Sequence, residues 1–300
     1  VTGACGFVGS VLLPKLSAHD VLISDTQWFG NYTGRQVDFA DFRSASLVGI
    51  DTVIHLAAVA NDPTGDLDPK LTWEINALGT AQLCAAAAKA GVKQFIYASS
   101  GSVYGISDLP NVTEDAPLVP VSEYNKTKAV AERVVLSYGS QMQCQILRPA
   151  TVCGYSPRMR LDVAVNTLTI QALTKGVITV LGGDQYRPNV HIEDMADAYI
   201  FMLEHPELTG IYNAGFENRR IAEIAEMIAK RTGAVVMRQS SNDPRSYRMD
   251  SSKIMAAGFK PKRSVKAAIA DMQIKYRENK LEDTDDCYNI RTMRLLHDFH

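Results

Sequence analysis

The sequence predicts an α/β protein: a doubly wound parallel sheet, joined to a smaller α/β lobe. Three observations carry that expectation. Short apolar runs alternate with helix-like segments through the first half of the chain, three glycines punctuate its opening, and the rhythm changes after Pro149.

Taken in order, the chain opens on VTGACGFVG with almost no strand before the glycines, so part of a first strand is expected to be missing from its start. The candidate strands are VLISD (21–25), TVIHLA (52–57), FIYAS (95–99) and QCQILRP (143–149). Between them VGSVLLPKLSAH, LTWEINALGTAQLCAAAAKAG and EYNKTKAVAERVVLSYG have helical spacing, the last two closed by glycine. Residues 1–150 therefore form a first domain and 151–300 mainly a second. Two helices, IAEIAEMIAKRTG and SVKAAIADMQIKYREN, are expected in the second without regular intervening strands. HIEDMADAYIFMLEH and GIYNAG, within 190–215, return to the first sheet.

With 300 residues, 46% hydrophobic and 21% charged, the chain can bury a large core. A net charge of −2 with no Lys/Arg run gives no electrostatic footprint for nucleic acid or an anionic membrane, and neither partner is expected. There is no bilayer-length apolar run and no signal-like opening, so a cytoplasmic protein is expected. Cys5, Cys84, Cys144, Cys153 and Cys287 form no CxxC pair and read as structural thiols. The histidines supply no HxxxH or HExxH, and the pair His297 and His300 lies at the extreme C-terminus, so no metal is expected.

TGACGFVG sets Gly3, Gly6 and Gly9 between a strand remnant and a helix, with Phe7 and Val8 completing the turn. Glycine there permits a tight turn and close approach of backbone to a pyrophosphate. VLISD ends in Asp25, where a carboxylate binds adenosine ribose hydroxyls and repels a 2′-phosphate, which favours NAD over NADP. Further on, SEYNKTKAVAE places Tyr124 and Lys128 on one helix face. A nearby ammonium favours phenolate, so the pair suits acid/base work. Alone, YxxxK is as compatible with a solvated helix face.

TGACGFVG, HLAA (55–58), ASSGSVYG (98–105) and YNKTK (124–128), in this order, make nearly the whole chain resemble the extended short-chain dehydrogenase/reductases. Within them it is most similar to the NAD-dependent sugar-nucleotide epimerase/dehydratases typified by UDP-galactose 4-epimerase. The resemblance implies a Rossmann-type domain with bound NAD. It makes Tyr124 the acid/base, Lys128 the holder of the nicotinamide ribose that also lowers the tyrosine pKa, and Ser100 the hydroxyl beside the reacting sugar oxygen; Ser99 is its neighbour and Ser102 a substrate contact. Cofactor contacts are implied for Leu56, Ala57 and Ala58 of HLAA, for Asp38 and Phe39 in VDFAD, and for Asn76 in EINALGT.

Dehydratases of this group resemble one another in carrying a Glu after the catalytic Thr, where this chain has Gly101 and Ser102. Epimerisation or oxidation of a sugar hydroxyl, C4 by resemblance, is therefore expected ahead of 4,6-dehydration. Glu123 is either a further acid or a first-turn helix residue. Arg187 in DQYRPNVHIED, with Arg245 or Arg248, is implied to hold the nucleotide diphosphate. Arg158 and Arg160 in YSPRMRLD are either substrate contacts or structural ion pairs. Thr151 stands where UDP-galactose epimerases have Asn, which puts that substrate in doubt. Asn166 either replaces the contact or is a helix-surface residue. Two other classes stay open: an oxidoreductase of a non-nucleotide alcohol, and a non-catalytic NAD-binding scaffold. The stripes on helices 71–90 and 123–138 resemble a four-helix homodimer interface, and core burial explains them too.

Overall fold

The computed structural model describes residues 1–33, 47–107, 109–241 and 246–298. Asp38, Phe39 and Arg245 lie outside the described residues, as do the side chains of His297 and His300.

In chain order the elements are α1 (Gly9–Lys15), β1 (Thr52–His55), α2 (Asp62–Leu67), α3 (Pro69–Trp73), a π-helical segment (Glu74–Gly79), α4 (Thr80–Ala90), β2 (Gln94–Ala98), a 3₁₀ turn (Gly101–Tyr104), α5 (Glu123–Ser137), β3 (Gln143–Pro149) and β4 (Thr151–Cys153). They continue with α6 (Ala164–Lys175), β5 (Val177–Leu181), β6 (Tyr186–His191), α7 (Ile192–Glu204), β7 (Gly210–Ala214), β8 (Glu217–Arg220), α8 (Ile221–Thr232), β9 (Val235–Gln239), α9 (Ser252–Ala256), α10 (Val265–Arg277), a short 3₁₀ turn and α11 (Asn289–Asp298).

The main sheet runs β1-β2-β3-β7, all parallel. Its near-continuous apolar strands suit a sheet covered on both faces. Alternation then assigns each residue to a layer. On β2, Phe95 and Tyr97 pack with Leu83, Ala87, Ala131 and Val135 of α4 and α5. Ile96, between them, packs with Leu12 of α1 and Met195 and Tyr199 of α7 on the other face. Beyond β1 the sheet narrows to single bridges, where Thr2 pairs with both Ser24 and His55. VLISD is therefore reduced to one bridging residue, because the neighbour available to it is itself only one residue long. β7 pairs with β3 and α7 packs on α1, which brings 192–214 onto this sheet.

The second lobe departs from expectation. Strands do intervene between its helices: β4 and β6 run parallel, β8 is antiparallel to β6, and β5 pairs with β9. β4, β6 and β8 are short or polar, which hides the period-2 signal, and β5 (VITVL) and β9 (VVMRQ) are apolar runs too short to be told from helix by pattern alone. α6, α8 and α10 cover them through Leu168, Ile224, Ile228 and Ile269.

Two helix expectations also change. The long segment beginning LTWEINALG divides at Glu74–Gly79, where the helix widens to π geometry. Gly91 closes α4 in the left-handed region (φ 81°), but α5 stops at Ser137 with Tyr138 (φ −91°) at its end, so Gly139 is no cap.

Candidate active site

A cleft of about 610 Å³ opens where the C-terminal ends of the main strands face the second lobe. Strand ends deliver its residues there, as the geometry of a parallel α/β sheet requires.

One wall is the glycine turn. Gly3, Gly6, Phe7, Val8 and Gly9 line it, facing Leu56, Ala57 and Ala58. Gly3 sits at φ +67°, and a Cβ there would come within 2.5 Å of the Ala57 nitrogen. Only glycine is tolerated on both counts. The bridging segment ends in Asp25, whose carboxylate accepts from the Cys5 N–H (2.9 Å) and the Gln27 N–H (2.7 Å). Burial pushes its pKa up, against those two bonds and the charge of Arg158. A tight glycine turn, an acid at the strand end and an apolar wall extended by Trp28 and Phe29 fit a dinucleotide.

The opposite wall comes from the β2 end and α5. Ser100, Ser102, Tyr124 and Lys128 all line the cleft. The Ser122 hydroxyl accepts from the Asn125 N–H (3.2 Å) and caps α5, so the tyrosine lies in the first turn and the lysine one turn further in. Ser100 Oγ lies 2.7 Å from Ser102 Oγ, which in turn donates to Asn125. Lys128 is 2% exposed and its ammonium donates to the Ala98 carbonyl at 2.7 Å. It stands 4.8 Å from the Tyr97 ring centre and 6.0 Å from that of Tyr124.

Burial raises the Tyr124 pKa, and the group that pulls it down most is the Ser100 hydroxyl, followed by the charge of Arg160. Burial also lowers the pKa of Lys128 to about 7, against the opposing charge of Glu132. Beneath it Glu132 and Arg148 form a buried two-point ion pair at 2.8 and 2.7 Å, and Ser99 Oγ donates to the same carboxylate. Neither partner is evident from local pattern.

Other expected site residues divide. Thr151 and Arg187 line the cleft. Asn76 and Asn166 do not. Asn76 accepts from the Val59 N–H (2.9 Å) and donates to the Val59 carbonyl (3.0 Å) and Thr127 Oγ1 (3.1 Å), tying the β1 loop to α5. Asn76 lies within the π segment, a geometry found frequently at functional sites. Asn166 is fully buried and spends its amide on Gly154 and the Arg160 carbonyl, so it is neither a substrate contact nor a surface residue. Glu123 accepts from Lys126 and Trp73 at the start of α5. Arg248 lies 4.0 Å from the ring centre of Tyr186.

Arg158 and Arg160 both line the cleft, with Asp162 between the lobes. Arg160 Nε donates to Asp162 (2.9 Å), and Asp162 also accepts from Asn61 (2.9 Å) and the Asn289 N–H (3.1 Å). Arg158 donates to Asn289 at 2.6 Å and lies over the Phe29 ring. The C-terminal Asn289 gave no sequence signal as part of this wall.

The model of the family described as "NAD dependent epimerase/dehydratase family" matches residues 1–215. A probable UDP-arabinose 4-epimerase 3 of Arabidopsis thaliana is 30% identical over 78% of this chain and 68% of its own length. A UDP-glucose 4-epimerase of Lactobacillus helveticus is 29% identical over 87% and 91%. Among solved structures, UDP-glucuronic acid 4-epimerase from Bacillus cereus, in complex with UDP-glucuronic acid and NAD, matches with a TM-score of 0.81 at 28% identity, covering 93% of this chain and 98% of that one. The glycine turn, the serine, tyrosine and lysine on one cleft and the family match lead to one statement: the chain belongs to the NAD dependent epimerase/dehydratase family and is an NAD-dependent enzyme of the extended short-chain dehydrogenase/reductase type.

Proposed function

We propose that this enzyme is a sugar-nucleotide epimerase, oxidising the C4 hydroxyl of the sugar and reducing the resulting ketone on its opposite face. The observation that carries the reading is the convergence of Ser100, Tyr124 and Lys128 with the glycine turn and Arg187 on one cleft. Tyr124 takes the hydroxyl proton while Ser100 hydrogen-bonds the same oxygen, holding it beside the base. Bound NAD supplies the hydride acceptor and donor. Lys128 holds the nicotinamide ribose, and Gly3 to Gly9 with Asp25 hold the adenosine half. Thr151 and Ser102 contact the sugar, and Arg187 the diphosphate.

Dehydration lacks the further acid it needs: Gly101 has no side chain, and a Cβ there would press on the flexible end of Met249 and lie 3.0 Å from the Pro149 carbonyl. Ser102 is tied to Ser100 and Asn125 and does not titrate usefully. Net oxidation is the second reading, since the same first half-reaction serves it.

Five free, buried cysteines suit a cytoplasmic protein. Among the described residues no helix is long and apolar enough to cross a membrane. Leu78 and Val130, 54% and 42% exposed on the π segment and α5, suit a homodimer interface.

The test incubates purified enzyme, as isolated and with added NAD, with UDP-sugars while absorbance at the NADH band and product NMR are followed together. Epimer without net NADH is expected. Stoichiometric NADH with a keto-sugar makes it a dehydrogenase, and silence across the panel overturns the reading.

A further inference from the structure

Two arginines of the second lobe, Arg158 and Arg160, line the cleft without a part in the proposed reaction, and each has a buried N–H with no hydrogen-bond partner among the described residues. Arg160 lines the cleft with its side chain 14% exposed, and its Nε is fixed to Asp162 at 2.9 Å. Its Nη2 is buried and has no hydrogen-bond partner among the described residues. A buried guanidinium N–H left unpaired is destabilising, so such a group marks a place where a ligand supplies the acceptor. Asp162 cannot turn to supply it, because its other oxygen already accepts from Asn61 and the Asn289 N–H.

Position separates the two arginines of this loop. Arg158 lies on the cofactor half: it covers the Phe29 ring at 4.1 Å and its charge acts on Asp25. Arg160 lies on the reacting half: its partner Asp162 accepts from Asn61, which caps α2, and α2 crosses α5 where a Cβ on Gly65 would lie 2.8 Å from Cβ of Tyr124. If Tyr124 receives the proton of the C4 hydroxyl, the sugar groups next to it are the C3 hydroxyl and the substituent on C5, and of these only the C5 substituent can be a carboxylate. The diphosphate, on C1, is across the ring. An unpaired guanidinium edge on this half is matched by a planar carboxylate, which C5 of the sugar can carry.

We propose that the sugar turned over bears a carboxylate on C5, a nucleoside-diphosphate uronic acid, and that Arg160 Nη2 receives it. The inference rests on the epimerase reading above and narrows its substrate class.

The experiment compares UDP-glucuronate and UDP-galacturonate with UDP-glucose and UDP-galactose on the NAD-loaded enzyme, by product NMR, for the wild type, Arg160→Gln and Arg160→Lys. A kcat/KM at least tenfold higher for the uronates is expected. Arg160→Gln lowers that preference by at least tenfold, and Arg160→Lys restores part of it. Bound NAD and the unfolding midpoint report whether each variant folds, and the wild-type comparison stands even if neither does. Equal or faster turnover of the neutral hexoses, or an equal loss on both substrate classes in Arg160→Gln, overturns the proposal and leaves the epimerase intact. Silence on all four substrates with NAD still bound overturns both.

Discussion

At the residue scale the question is how a phenol works as a base in a buried site. Burial alone pushes the Tyr124 pKa up, and the Ser100 hydroxyl is the largest opposing influence. The basic form therefore gains population as pH rises, and kcat/KM is expected to climb on the alkaline side. Ser100→Ala removes the opposing bond and shifts that limb to still higher pH, as a pH–rate series would read. Tyr124→Phe keeps the ring and loses the proton acceptor. A fall in kcat of roughly 10²–10⁴, with NAD binding retained, is the expected outcome by steady-state kinetics. Lys128 gives a stability prediction. Its pKa is lowered from 10.5 to about 7 on folding, so between those values the unfolded chain binds a proton that the folded chain does not. Stability from this group rises with pH across that window and is flat outside it. Lys128→Met removes the slope: relative to the wild type, the variant's unfolding midpoint is higher at pH 7 than at pH 10, a difference thermal melts can measure.

At the element scale, α2 crosses α5 at a glycine. A Cβ on Gly65 would lie 2.8 Å from Cβ of Tyr124, closer than real side chains approach. Gly65→Ala is expected to displace the tyrosine and lower kcat by about 10²-fold through misplacement, with a smaller effect on the unfolding midpoint. The buried pair Glu132–Arg148 joins α5 to β3 at 1% and 2% side-chain exposure. Removing one partner strands the other charge, together with the Ser99 hydroxyl that donates to Glu132. Arg148→Met is therefore expected to cost about 3–5 kcal/mol in urea unfolding.

At the scale of the whole molecule, the cleft is held by residues far apart in the chain. Asn289 accepts from Arg158, donates to the Ala60 carbonyl (3.3 Å) and offers its N–H to Asp162, so the C-terminal segment ties the second lobe to the β1 loop. The exposed Leu78 and Val130 carry the assembly prediction. If these faces pair two copies, Leu78→Glu buries a charge at the interface and shifts the protein toward monomer, as light scattering after size exclusion would show.

The alternating elements, the glycine turn and the tyrosine–lysine spacing were legible because each is a local pattern, and the serine stretch through its resemblance to the family's motif. A turn, a helix face or a strand period is set by residues within about one turn of each other. The short strands of the second lobe were not legible, because their pairing partners are distant in the chain, and neither was the π segment, where Asn76 meets Val59 and Thr127. Asn166 could be placed only by knowing that Gly154 and the Arg160 carbonyl surround it. The sequence by itself determined the fold class and the chemistry of the candidate base. Tertiary structure decided its electrostatics, since burial around Tyr124 and Lys128 comes from packed neighbours rather than from their spacing. It also decided that Arg160 faces the cleft, because Asp162, Asn61 and Asn289 meet there only when the chain is folded.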